Sequence, residues 1–251
     1  MFVSIHIPKT AGTSLSVILD YGSGRKIWYD YSELRLLQTD LQNAHQLQAD
    51  KQQTLLAHKS FIENNFDFVH GHFYYAKYKD FFTDAKYITC VRKPIDRLVS
   101  HYYHLLDEAD ENYWLYQEIK SGNLDLADMA KISGIGDMQS QYLKGRDIKD
   151  YDFVFITEKL PDSVYHFQLL FNFERNDEFM NLPGAQSMPR SNIQGAKATE
   201  RAIILPSVIE KAQQELRADN ELYQKALEKF IIQGGQAQDI ISTRSGNSNE
   251  F

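Results

Sequence analysis

Three clusters in the chain combine residue types that could do chemistry. The first is Pro8-Lys9-Thr10-Ala11-Gly12-Thr13-Ser14, close to the start of the sequence. A glycine with flanking hydroxyls and a lysine can cradle an anion. Backbone N–H groups and a helix N-terminus supply partial positive charge, and the lysine supplies a full one. Gly12 allows close backbone approach. The second cluster is Arg92 with Ser100, where an arginine fork and a hydroxyl could converge on one phosphate. The third is His70-Gly71-His72. If this run ends a strand, alternation puts both imidazoles on one face, where either could serve as general base toward a hydroxyl. No carboxylate or further histidine lies at ligand spacing beside them, so no metal is expected.

Each cluster needs an element to hold it. Val3 to Ile7 is a short apolar run ending at Pro8, expected as a buried strand, with a helix from Ser14 to Leu19. Phe66–Val69 and Tyr87–Val91 read as the next two strands, and each delivers one of the other clusters. Pro94 opens a helix expected over Ile95–Leu106, and Phe153–Ile156 reads as a fourth strand. Further helices are expected as two pieces within 31–65, within 113–145 with breaks at Gly122 and Gly134, at 161–171 and over 209–232. The segment 174–200 reads as a polar loop holding Arg190-Ser191-Asn192. Strands alternating with helices imply an α/β, three-layer, P-loop-like fold with a mainly parallel central sheet flanked by helices. A single domain is expected over 1–233, with 234–251 as a flexible C-terminal tail.

The loop is not a Walker A motif, because the lysine precedes the glycine by three residues instead of following it. Pro8–Ser14 resembles the 5′-phosphosulfate loop of the sulfotransferase family, whose donor is 3′-phosphoadenosine 5′-phosphosulfate (PAPS). The run from Ile88 to Tyr103 resembles that family's 3′-phosphate motif. The resemblance implies that Lys9 meets the sulfate-bridging oxygen and that Thr10, Ala11, Gly12, Thr13 and Ser14 hold the 5′-phosphate. Arg92 and Ser100 would hold the 3′-phosphate, and 3′-phosphoadenosine 5′-phosphate (PAP) would be the product. The His-Gly-His run is similar to the branch that sulfates position 2-O of glycosaminoglycans, and implies His70 as base with His72 as the alternative.

Asp137 to Gly145 resembles a helix motif of the family in which an arginine stands where this chain has Gln141. That departure, with the acidic balance of 27 − 34 = −7, tilts the expected acceptor toward a saccharide or glycolipid of low charge. The same balance argues against nucleic acid as partner. The lone Cys90 excludes an intrachain disulfide. No stretch approaches the roughly 18 apolar residues that span a membrane, and no signal peptide is visible, so a cytoplasmic protein is expected. Two rival readings share the strand–loop–helix layout: a P-loop small-molecule kinase, and a non-enzymatic nucleotide-binding protein on the same fold.

Overall fold

The computed structural model describes residues 1–21, 26–31, 57–108, 112–173 and 204–246. The 174–200 loop and most of the segment 31–65 lie outside them. Among the described residues five strands make one sheet: β1 (Phe2–Ile5), β2 (Ile27–Asp30), β3 (Phe68–Gly71), β4 (Lys86–Val91) and β5 (Phe153–Ile156). Their order is β2-β3-β1-β4-β5, and every pairing is parallel. Four of these strands match the sequence reading. β2 was not foreseen: Ile-Trp-Tyr-Asp is short, sits at the sheet edge and is only half buried, so it lacks the apolar run that marks a central strand.

Strand alternation divides the core. Phe2, Phe68, Ile88, Cys90, Phe153 and Phe155 point to one face. There they meet α1 (Gly12–Tyr21) through Leu15 and Ile18, and α8 (Leu160–Phe171) through Val164 and Phe167. Rings lock this layer, with Phe2 stacked on Phe68 at 5.1 Å and Phe153 edge-on to Phe167 at 5.1 Å. Each fully buried ring of this kind stabilises the fold by about 1.5–3 kcal/mol relative to exposure. Val3, Ile5, Val69, Tyr87, Val154 and Ile156 face the other way. They are covered by helix α2 (57–65), α3 (Tyr75–Tyr78), α7 (Met138–Tyr142) and α10 (Arg217–Gly246). Helices on both faces make the three-layer arrangement expected from the sequence, with a sheet that is wholly parallel. A separate apolar cluster joins α4 (Pro94–Glu108), α5 (Trp114–Lys120), α6 (Leu126–Lys131) and α9 (Pro206–Glu215) through Leu98, Leu115, Met129 and Ala212.

The C-terminal segment departs from expectation. The chain from residue 234 was expected as a flexible tail, yet residues 234–246 continue α10. The Gly234-Gly235 pair that suggests a helix stop has a packing role instead: a Cβ on Gly234 would come within 3.0 Å of the His166 ring on α8. Ala237, one turn later, is buried. Just before the pair, buried Gln233 accepts the Val154 N–H (2.9 Å) and donates to the Val154 carbonyl (3.0 Å). Its amide therefore pairs the outer edge of β5 as a neighbouring strand would.

Candidate active site

From β1 the chain turns through α1 toward β2 on one side of the sheet, while β4 and β5 lie on the other. The carboxyl ends of β1 and β4 thus flank a topological switch point, where open parallel sheets bind ligands. The loop after β1 contains two non-glycine residues with positive φ, Lys9 (70°) and Ala11 (64°). Such a conformation costs free energy, and it folds successive N–H groups into an anion-binding concavity. Thr10, between them, is fully buried and ties the loop: its hydroxyl donates to the Ile7 carbonyl at 2.9 Å, and its N–H goes to the same oxygen. The Thr10 side chain therefore shapes the cradle and does not face a ligand. The first helical bond of α1 runs from the Leu15 N–H to the Ala11 carbonyl, so the N–H groups of the preceding turn precede the ladder. Thr13 is exposed and Ser14 partly so.

Gly12 has a reason that sequence reasoning did not supply. A Cβ there would lie 1.5 Å from His6 Nε2, because the His6 imidazole fills the space under the first turn of α1. His6 in turn touches the other two histidines. Its ring lies 4.1 Å from that of His72 and stacks on His70 at 5.3 Å. The fold thus assembles a three-histidine cluster where the sequence offered two. Ring faces meet here, and among the described residues no group of three His, Cys, Asp or Glu side chains could hold a metal ion. Gly71 is also obligatory, since a Cβ on it would strike the Asp30 carbonyl of β2 at 1.6 Å.

The two expected bases differ in setting. His70 is wholly buried, its Nδ1 lies 2.9 Å from Ser4 Oγ, and its Nε2 is enclosed without a partner. Burial, with the charge of His72, pushes its pKa down to about 3. His72 is 8% exposed, and its Nδ1 sits 2.7 Å from the His6 carbonyl oxygen. A carbonyl only accepts, so the neutral ring carries its proton on Nδ1 and keeps a lone pair on Nε2. Burial lowers the His72 pKa, the hydrogen bond to His6 partly opposes this, and Lys9 lowers it further.

Arg92 stands at the end of β4 and reaches the loop, its guanidinium donating to the Lys9 carbonyl at 3.2 Å. The two anion motifs are therefore in direct contact. A side chain from α7 clamps the Arg92 backbone: Gln139 Oε1 accepts the Arg92 N–H (2.9 Å) and Gln139 Nε2 donates to the Arg92 carbonyl (3.0 Å). Gln139 is wholly buried. Asp219 of α10 holds it there, accepting from the Gln139 N–H (3.1 Å), the Ser140 N–H (2.8 Å) and the Ser140 hydroxyl (2.7 Å). Burial raises the Asp219 pKa against these bonds and the nearby Arg97 charge. Glu158 fixes the next residue by accepting the Lys93 N–H at 2.8 Å.

Arg97 is completely buried and donates to the Ile135 carbonyl and to Met138 Sδ. Burial pushes its pKa down to about 10, with Asp219 opposing and Arg92 adding to the fall. A second guanidinium beneath Arg92 reinforces the positive potential of the site. Ser100 lies partly exposed on α4, and none of the described hydrogen bonds links it to Arg92 or to the loop. Gln141 donates to Asp137 at 2.7 Å, so this amide is engaged within its own helix start.

A positive-φ loop at a switch point, an arginine joined to it and an imidazole near Lys9 that keeps a lone pair on Nε2 are parts that a transferase acting on a phosphate-bearing donor needs. The Sulfotransferase family matches residues 1–230, and the chain belongs to that family. Heparan sulfate 2-O-sulfotransferase 1 of Pongo abelii is 28% identical over 256 residues, covering 89% of this chain and 68% of its own length. The Mus musculus protein of the same name is 28% identical over 194 residues, covering 65% of this chain and 52% of its own. Among solved structures, mouse sulfotransferase SULT7A1 complexed with PAP matches with 14% identity and a TM-score of 0.42, over 96% of this chain and 88% of that one. Its membership of that family identifies the chain as a PAPS-dependent sulfotransferase.

Proposed function

We propose that the chain transfers the sulfuryl group of PAPS to a hydroxyl of a saccharide or glycolipid, with His72 as general base. The observation that carries this reading is the Nδ1 bond of His72 to the His6 carbonyl, which leaves Nε2 as the acceptor beside the anion loop. His70, the first expectation for the base, is less suited, because both of its nitrogens are enclosed and protonation of the ring is strongly disfavoured. A saccharide acceptor is supported by the named activity of the heparan sulfate 2-O-sulfotransferases that the chain resembles.

In this scheme the 5′-phosphate rests on the loop and the first turn of α1, and the 3′-phosphate meets Arg92. The acceptor oxygen attacks sulfur while its proton passes to His72 Nε2. The bond from sulfur to the bridging oxygen breaks, and PAP leaves with that oxygen. Lys9 stabilises the charge that grows there. A lowered His72 pKa keeps the imidazole neutral at pH 7. The test is transfer from radiolabelled PAPS to a panel of oligosaccharides and glycolipids. His72→Ala should lose about 10²–10⁴ in rate. His70→Ala should keep transfer within about tenfold, its cost falling on stability. The reverse pattern would refute the assignment of the base.

A further inference from the structure

Beyond the nucleotide site, the same face of the sheet carries two tyrosines that the mechanism leaves unused. Tyr29 is in register with His70 across the β2–β3 pair, and Tyr31 follows two residues later. Their rings form an offset stack, with centroids 6.2 Å apart and planes nearly parallel at 16°. Tyr31 meets His72 edge to face at 4.9 Å. Unlike the buried histidines beside them, Tyr29 is 47% exposed and Tyr31 38% exposed.

In-line displacement fixes where an acceptor can lie. The attacking oxygen must stand opposite the leaving oxygen across sulfur. The anion loop and Arg92 belong to β1 and β4, so the nucleotide occupies that side of the histidines. The sheet order puts β3 and then β2 on the other side. A hydroxyl that uses His72 Nε2 must arrive from there, across the two tyrosines. Exposed parallel rings offer negative faces to the C–H groups of a sugar's apolar side. The charged neighbour that acts on Tyr29, after burial itself, is Asp20, a carboxylate that repels an anionic chain.

We propose that Tyr29 and Tyr31 form the acceptor platform, stacking on a pyranose ring of an uncharged or weakly charged saccharide and presenting its hydroxyl to His72. This inference rests on the saccharide reading above. The experiment measures kinetics with radiolabelled PAPS on uncharged oligosaccharides, with heparin-derived oligosaccharides as the anionic arm and PAP affinity as the fold control. Tyr29→Ala and Tyr31→Ala should each raise KM by about tenfold. Both should keep kcat within about threefold and leave PAP affinity unchanged, while Tyr29→Phe and Tyr31→Phe restore KM. Wild-type protein that binds PAP but sulfates no saccharide would remove the saccharide reading and the platform with it. Active protein whose alanine variants keep their KM, whose phenylalanine variants fail to restore it, or which prefers the heparin-derived acceptor would overturn the platform alone.

Discussion

Replacing Gln139 with leucine separates a held Arg92 from a loose one. Gln139 satisfies both backbone groups of Arg92, at 2.9 and 3.0 Å, and a leucine side chain could satisfy neither. The residues on each side keep their anchors, since Thr157 donates to the Val91 carbonyl at 3.0 Å and Glu158 accepts the Lys93 N–H at 2.8 Å. Only Arg92 itself is released. Re-ordering one residue's backbone on binding costs about 1–2 kcal/mol, which weakens affinity about 5- to 30-fold. The loss should appear only for ligands that use Arg92. Calorimetric titration of Gln139→Leu should show PAP binding weakened by that factor, with 5′-AMP binding unchanged. Because Arg92 is only partly buried, each orphaned backbone group costs about 1 kcal/mol, so chemical denaturation should register a loss of about 2 kcal/mol. Equal weakening for PAP and 5′-AMP, or no weakening for PAP, would refute the clamp.

Other consequences follow from the same contacts. Gly12→Ala should fail to bind PAP and should lower the melting temperature, since its Cβ would lie on the His6 ring; a variant with wild-type PAP affinity would contradict the packing described. Lys9→Ala should abolish transfer while circular dichroism and PAP binding persist, and near-normal turnover would remove Lys9 from the chemistry. Burial holds His6, His70, His72 and His101 below the ordinary histidine range, so an unfolded chain binds protons that the folded one does not. Their stabilising contribution is complete above about pH 6.5 and is lost as pH falls from there toward the depressed values, about 1.4 kcal/mol per pH unit for each such group. Denaturation curves at pH 7, 6 and 5 should show this slope, reduced in His70→Gln, and a flat profile would contradict it.

Where the Pro8–Ser14 loop, Arg92 and the His-Gly-His run fall at the ends of the strands was legible in the sequence, because each sits within a few residues of the strand that delivers it. The three-layer parallel fold was legible for the same reason, since its central strands are continuous apolar runs. Contacts between distant segments were not. Nothing in the local sequence marks Gln139 as buried, and Asp219, 80 positions later, gives no sign that it anchors Gln139 beneath Arg92. His6 could have been noticed: Phe2, Ser4 and His6 alternate along β1 just as Phe68, His70 and His72 do along β3, and the two strands pair in parallel. The end of α10 was misread because glycine signals both a helix stop and close helix packing, and only the position of His166 distinguishes them.

The central claim is that the β1 loop and Arg92 form one nucleotide site that requires the 3′-phosphate. Titration of the purified protein with PAP, 5′-AMP and ATP–Mg²⁺ tests it most directly. Tight binding of PAP, much weaker binding of 5′-AMP and loss of the difference in Arg92→Ala are expected. Binding of ATP–Mg²⁺ in preference to PAP, or equal affinity for PAP and 5′-AMP, would contradict the account.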